Sequence, residues 1–308
     1  MRTHPDALQV YGNLSTLELA PVLLALDGIY PGQAVLRQGG IMSLYDQPGD
    51  LPNMVGSGKS DVTTNSETQA LRYSVDHPDL RFILTVAEGL YRIVARRSAG
   101  ITRLHDLKGK RIATMPKTSS AYYLERMLRT VGLGEHDVQI VPFVAGSARP
   151  LSAIPQALCD GEVDAATVWE PELQRAQDAL GADAVEFMDP GVYREQFSLF
   201  TTQANLQNPR MRRRIVAFIR SLIDASARIR QHPQGVWPLV AQATGHALTT
   251  IERAWPHHRY PGTLLDDLLD VLVQEEVWVA GETGRKPRTR DALAPLIDSS
   301  VLEEALAV

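Results

Sequence analysis

Cysteine is almost absent from this chain. Cys159 is the only cysteine among 308 residues, so no internal disulfide can form. It stands directly before the Asp160-Gly161 turn, at the end of a predicted helix that should pack on a sheet. We therefore expect Cys159 to be a small buried hydrophobic residue and not a nucleophile.

Long apolar runs and a basic surplus are also missing. No stretch approaches the roughly 18 apolar residues that a membrane span requires, so we expect no membrane insertion. Residues 1–10 carry one positive charge and lack the apolar core of a secretory signal, which places the chain as written in the cytoplasm. The net charge of −5 argues against a nucleic-acid partner, because phosphate binding requires a basic face.

Common catalytic and metal-binding motifs are lacking as well. The pair His257-His258 has no third ligand at a suitable spacing, so neither a metal ion nor another cofactor is expected. The sequence has no Gly-x-Ser-x-Gly elbow, and residues 56–60 match only part of a phosphate-binding loop and precede a strand. We therefore predict no catalytic residue from motifs.

One short phrase occurs twice. Residues 58–67 read Gly-x-x-Asp, then apolar or β-branched residues, then a polar end at Glu67, and residues 161–170 repeat this order up to Glu170. The phrase is typical of a tight turn, a buried parallel strand and a loop at its carboxyl end, where open α/β sheets bind ligands. It predicts two similar α/β lobes, the alternative being chance similarity between two ordinary strand–turn units.

Strand-like and helix-like segments alternate through the first two hundred residues, and helical patterns dominate after Asn205. This arrangement predicts two α/β lobes joined by extended crossings near 91–96 and 197–202, with a helical C-terminal portion. The predicted strands are 8–11, 34–37, 61–64, 81–86, 109–114, 138–141, 163–168 and 197–202. The longer predicted helices are 121–130, 211–230, 236–243 and 264–280, with shorter ones near 52–55 and at 67–75 and 249–254.

Polar side chains follow four of these strands and form the candidate ligand-binding set. Its members are Asn13, Ser15, Thr16, Asn65, Ser66, Glu67, Thr118, Ser119, Ser120, Trp169 and Glu170. The Thr-Ser-Ser segment begins a helix whose unpaired N–H groups would accept a carboxylate, sulfonate or phosphate. Plain helix capping by these hydroxyls is the alternative.

The two glutamates and the tryptophan have other chemistry to offer. Glu67 and Glu170 would favour an ammonium, amidine or aminopyrimidine group, or would act as an acid–base pair if burial raised one pKa. Each could instead front the helix that follows it. Trp169 offers a flat face to a ring or a cation, with a core position as the alternative.

Three segments resemble a known family. These are Asp106-Leu-Lys-Gly-Lys-Arg-Ile-Ala, Ser119-Ser-Ala-Tyr-Tyr-Leu and the stretch from Asp160 to Pro171. They are similar to the SsuA/NMT1/THI5-like solute-binding proteins of ABC importers, over about residues 8–255. The resemblance implies a two-lobed type II periplasmic-binding-protein fold, a Venus flytrap. Lobe 1 would comprise 1–92 and 203–308, with the helical C-terminal portion packed on it, and lobe 2 would comprise 93–202.

The resemblance also implies a function. The chain would be a monomer that closes over a small polar solute, zwitterionic, sulfonate or pyrimidine-like, held between the lobes by the candidate set, and it would deliver the solute to an ABC permease. That role requires a place outside the membrane, in conflict with the missing export signal. Family members also often have Trp-Asp-Pro or Trp-Asn-Pro where this chain has Trp169-Glu170-Pro171.

A cytoplasmic enzyme on the same fold is the alternative function. It would act on a small heterocyclic or sulfur- or nitrogen-containing compound, with Glu67 or Glu170 as base and a tyrosine as acid. The related pyrimidine synthase uses a cysteine-rich stretch that is absent here. The related desulfinase has an early catalytic cysteine, whereas Cys159 lies far along the chain, although Tyr45-Asp-Gln-Pro48 resembles a desulfinase segment.

Overall fold

The computed structural model describes residues 7–47, 59–144 and 147–307. Within these ranges the strands are β1 Leu8–Gly12, β2 Ala34–Gln38, β3 Val62–Asn65, β4 Leu80–Gly89, β5 Ile93–Arg96, β6 Arg111–Thr114, β7 Gln139–Pro142, β8 Ala165–Ala166, β9 Ala184–Phe187, β10 Glu195–Thr202 and β11 His258–Arg259. The α-helices are α1 Ala20–Leu24, α2 Glu67–Tyr73, α3 Ser119–Thr130, α4 Ile154–Cys159, α5 Glu172–Leu180, α6 Gln203–Gln207, α7 Pro209–Gln231, α8 Trp237–Thr244, α9 Leu248–Ala254, α10 Leu268–Thr283, α11 Arg290–Leu293 and α12 Ser300–Leu306. The helix predicted near 52–55 and most of the 56–60 segment lie outside the described residues.

Two sheets share one strand order. The first runs β11-β4-β10-β3-β1-β2, and the second runs β7-β6-β8-β5-β9. In the first sheet β1 pairs in parallel with β2 and β3, and β10 is antiparallel to β3. In the second sheet β6 pairs in parallel with β7 and β8, and β5 is antiparallel to β8. The order β2-β1-β3-β10-β4 therefore corresponds to β7-β6-β8-β5-β9.

The two Gly-x-x-Asp phrases have matching geometry in the two sheets. The backbone N–H of Asp61 donates to the Gln9 carbonyl at 2.8 Å, and the Asp61 carboxylate accepts the Gln9 N–H at 2.8 Å. Asp164 makes the same pair of bonds with Arg111, at 2.8 and 2.9 Å. In both copies the residue after the aspartate pairs with the residue after that partner, in a parallel ladder. The repeat is thus structural, because one carboxylate sets the register of each strand pair.

The aspartate of the second copy should matter measurably for stability. Burial opposes its ionisation, but hydrogen bonds from Arg111 and Arg96 hold the pKa of Asp164 below its ordinary value. Asp164→Ala is expected to lower the free energy of unfolding by about 2–3 kcal/mol, because it removes charge-assisted hydrogen bonds to strand β6. Urea denaturation measures this, with the exposed Asp160→Ala as the control, for which a change within about 0.5 kcal/mol is expected. Equal losses in both variants would contradict the prediction.

The chain divides into two compact units. The first comprises Met1–Glu88, Gln196–Gly245 and Arg259–Val308, and the second comprises Gly89–Glu195 and His246–His258. The lobe boundaries inferred from the sequence, at 92/93 and 202/203, remain a prediction beside this division.

Each unit has its own packing. In the first unit Phe82 of β4 and Phe200 of β10 meet edge to face at 4.5 Å and pack with Leu272 of α10, so C-terminal helices cover this sheet. In the second unit α9 packs on α5, and Arg253 pairs with Asp178 at 2.8 Å.

Two local predictions differ from the structure. Cys159 is exposed and not buried, because α4 buries Ile154, Ala157 and Leu158, and the residue that follows them points to the outer face. The strand predicted at 163–168 is assigned only at Ala165–Ala166. Its ladder continues on one side, however, because the N–H of Thr167 donates to the Ala113 carbonyl at 2.9 Å.

Candidate functional site

The loop after β1 is ordered by one asparagine. The Oδ1 atom of Asn13 accepts the Oγ–H of Ser15 at 2.7 Å and the Ser15 backbone N–H at 3.3 Å. The hydroxyl of the buried Thr16 donates to the Asn13 carbonyl at 3.3 Å. Asn13 is half-buried and Ser15 is exposed, so this loop presents polar side chains at the carboxyl end of its strand.

The loop after β3 contains the first predicted glutamate. Asn65 ends the strand, and its Oδ1 accepts the Ser66 N–H at 2.8 Å, while the Ser66 and Thr68 hydroxyls lie 3.0 Å apart. Glu67 is fully buried as the first residue of α2, and it accepts the backbone N–H of Gln196 at 3.1 Å. A contact of the Glu67 carboxylate is therefore made inside the first unit, to strand β10.

The start of α3 differs from simple capping. Thr118 occupies the N-cap position, but its hydroxyl donates to the Met115 carbonyl at 2.6 Å and makes no capping bond to the helix. The Ser120 hydroxyl lies 3.0 Å from the hydroxyls of both Thr118 and Thr114. The expectation that the Thr118 side chain caps α3 is therefore corrected, since its hydroxyl is turned toward the preceding loop.

Ser119 contacts a residue that sequence reasoning missed. Its Oγ donates to Oε1 of Glu195 at 2.9 Å and lies 2.9 Å from the Tyr91 hydroxyl, which donates to the same Oε1 at 3.4 Å. All three side chains are buried. Glu195 begins β10, ahead of the strand predicted at 197–202, and no local pattern singles it out.

Glu170 is the centre of a buried ion pair. Its Oε1 lies 2.7 Å from Nη2 and 2.8 Å from Nε of Arg92, and its Oε2 accepts the Gln174 N–H at 2.8 Å. The Arg92 side chain is 1% exposed and also contacts Glu186 at 2.5 Å and Gln174 at 3.0 Å. Both oxygens of Glu170 therefore have partners inside the second unit, from Arg92 before β5 and from the first turn of α5.

Electrostatics around this pair follow from burial. Burial raises the pKa of the Glu170 carboxyl, and the charge and hydrogen bonds of Arg92 act against that rise. Burial also lowers the pKa of His257 to about 3, with the positive charge of Arg92 contributing. His257 is thus neutral at physiological pH. Over the described residues, no three His, Cys, Asp or Glu side chains are grouped in a way that would hold a metal ion.

Trp169 is the member of the candidate set that retains a partly exposed aromatic surface. It lies between β8 and Glu170 and is half-buried. Because Glu170 is fixed by Arg92 and Gln174, the backbone on one side of the tryptophan is anchored, while β8 fixes the other side. The indole is therefore held at the carboxyl end of a strand that begins with the second Gly-x-x-Asp phrase.

Comparison with known proteins connects this geometry to a family. A family model described as NMT1/THI5 like matches residues 42–236, although no curated protein matches the sequence. The periplasmic aliphatic sulphonate binding protein SsuA from Escherichia coli has 18% identity and a TM-score of 0.72, over 94% of this chain and 92% of that one. The alkanesulfonate-binding protein SsuA from Xanthomonas axonopodis pv. citri, bound to MOPS, has 18% identity and a TM-score of 0.70, over 96% and 99%.

An enzyme has a similar structure. The desulfurization enzyme DSZB has 18% identity and a TM-score of 0.63, over 98% of this chain and 99% of that one. The described residues contain no helix with both the length and the apolar character to cross a membrane. The strand orders and structural similarities show the two-lobed type II periplasmic-binding-protein fold, and the family match spans more than half of the residues, so the chain belongs to the NMT1/THI5-like family.

Proposed function

We propose that this protein is a solute-binding protein that captures a small polar molecule for an ABC importer. The observation that carries the proposal is the repeat: each unit presents polar side chains at the carboxyl end of a strand set by a Gly-x-x-Asp carboxylate. Ligands of α/β proteins bind at such strand ends. Similarity to SsuA proteins that bind sulfonates supports this role.

The proposed contacts come from both units. In the first unit they are Asn13, Ser15, Thr16, Asn65 and Ser66, with Glu67 behind them; in the second they are Thr118, Ser119, Ser120 and Trp169, with Glu170 behind the tryptophan. We place both glutamates behind the contact surface because each carboxylate has a partner in its own unit. Trp169 then supplies the main apolar contact, and hydroxyl and amide groups orient the solute.

A binding screen followed by variants tests this function. A thermal-shift screen of sulfonates, amines and aminopyrimidines should find a solute that raises the Tm, since a ligand at 100 times its Kd stabilises by about 2.7 kcal/mol. Asn13→Ala in the first unit and Trp169→Ala in the second are each expected to weaken that solute at least tenfold in calorimetry. Gln207→Ala, an exposed surface change, is the control. Unchanged affinity in both site variants would contradict the proposal.

A small-molecule enzyme on the same fold is the second candidate, favoured by the similarity to DSZB. Thiol chemistry at the proposed contacts is not available to it, since the only cysteine is exposed at the end of α4. Mass spectrometry of the solute after incubation separates the two functions. A transport protein should return the solute unchanged, and any stoichiometry-exceeding conversion would favour the enzyme.

A further inference from the structure

Glu195 places a buried carboxylate at the start of α3. It is 3% exposed, and its Oε1 accepts hydrogen bonds from Ser119 at 2.9 Å and from Tyr91 at 3.4 Å. Ser119 is the first residue of α3, where the unpaired N–H groups of a helix carry a partial positive charge. A carboxylate of the protein itself therefore lies where an anionic solute would otherwise be stabilised.

The direction of the hydrogen bonds strengthens this effect. A serine hydroxyl has one hydrogen, and that of Ser119 is directed to the Glu195 carboxylate. While this bond holds, the Ser119 oxygen can accept a hydrogen bond from a solute but cannot donate one. A sulfonate has only acceptor oxygens, so it would find no donor in this hydroxyl.

The surroundings leave the carboxylate charge poorly screened. The ring of Tyr91 lies 5.7 Å from that of Tyr123 and 5.8 Å from that of Tyr193, measured between centroids, and all three rings are buried. Charges interact more strongly in such a site than in water. A second negative charge next to Ser119 would thus be repelled, and a positive charge would be attracted.

We propose that Glu195 is a specificity-determining residue of the solute site, which disfavours simple sulfonates and favours a solute with a cationic nitrogen group such as an amidinium or ammonium. The proposal rests on the solute-binding function above and names the class of its solute. It separates this chain from the sulfonate-binding proteins to which its fold is similar.

Two probes with the same ring and opposite charge test the proposal. Calorimetry should show that the wild type binds benzamidinium at least tenfold more tightly than benzenesulfonate. Glu195→Gln, which keeps the shape and removes the charge, should change that affinity ratio at least tenfold in favour of benzenesulfonate. Glu162→Gln removes one exposed charge of the same unit and should leave the ratio unchanged.

The outcomes are separable. A ratio that changes less than tenfold in Glu195→Gln, or a wild type that prefers benzenesulfonate or binds neither probe, overturns the role of Glu195. The solute-binding function itself fails only if the wider thermal-shift screen finds no solute. If Glu195→Gln does not fold, as judged by circular dichroism, Glu195→Asp withdraws the carboxylate from Ser119 and should shift the ratio in the same direction, and an unchanged ratio there overturns the proposal.

Discussion

Arg92→Met is expected to lower the free energy of unfolding by about 3–5 kcal/mol, the cost of leaving a buried charge without its partner. The side chains of Arg92 and Glu170 are 1% and 5% exposed, and the arginine also contacts Glu186 and Gln174. Removing the guanidinium strands the Glu170 carboxylate away from water. Urea denaturation followed by circular dichroism measures the loss.

A double variant distinguishes the ion pair from simple packing. Arg92→Met combined with Glu170→Met replaces both charges with apolar side chains, and we expect it to recover most of the loss in the single variant. Arg92→Lys should recover less, because an ammonium cannot reproduce the planar contacts of the guanidinium. A single variant that costs under 1 kcal/mol, or a double variant as unstable as the single, would refute the argument.

The repeat was predictable from sequence because its physics is local. In each copy an aspartate precedes a strand, and its carboxylate bonds the backbone of the neighbouring strand. In the second copy Gly161 has a φ of +72°, a left-handed conformation that glycine adopts without strain. These requirements leave a signature within ten residues, so the strand–turn units and the polar loops after them could be inferred.

The partners of the site residues could not be predicted in the same way. Glu195 is far along the chain from Ser119, as Glu170 is from Arg92. Hydrophobic periodicity and capping patterns report on neighbours within a few residues, whereas the pairing of buried charges depends on how the strands are arranged in the sheet. The family resemblance predicted the strand order, but not which buried side chain would meet which.

The two repeated glutamates show where sequence symmetry ends. Equivalent positions suggested equivalent roles, yet Glu67 contacts a backbone N–H of β10 and Glu170 contacts a buried arginine. The difference arises because Arg92 has a counterpart charge only in the second unit's copy of the motif. Nearly identical loops therefore present different electrostatics, and specificity has to be argued from each unit's own contacts.

Glu276→Gln should remove a pH-dependent contribution to stability of about 3 kcal/mol at neutral pH. The Glu276 side chain in α10 is fully buried and accepts hydrogen bonds from Arg285 and Arg288, with the Arg288 Nε at 2.9 Å. Arg288 also donates to the Leu71 carbonyl of α2 at 2.9 Å. Burial opposes ionisation of Glu276, but the two arginines hold its pKa at about 2, below the ordinary 4.5.

The sign of the pH effect follows from that lowered pKa. Stability from Glu276 is fully present above about pH 4.5 and is lost as the pH falls toward about 2, where the carboxylate becomes protonated in the folded state as well. The difference in unfolding free energy between wild type and Glu276→Gln should therefore shrink across this window in urea titrations. Asp270→Asn breaks an exposed pair with Arg290 on the same helix and should cost under about 1 kcal/mol at any pH. A difference for Glu276→Gln that is the same at pH 7 and at pH 2.5 would show that packing, and not the charge, makes this glutamate important.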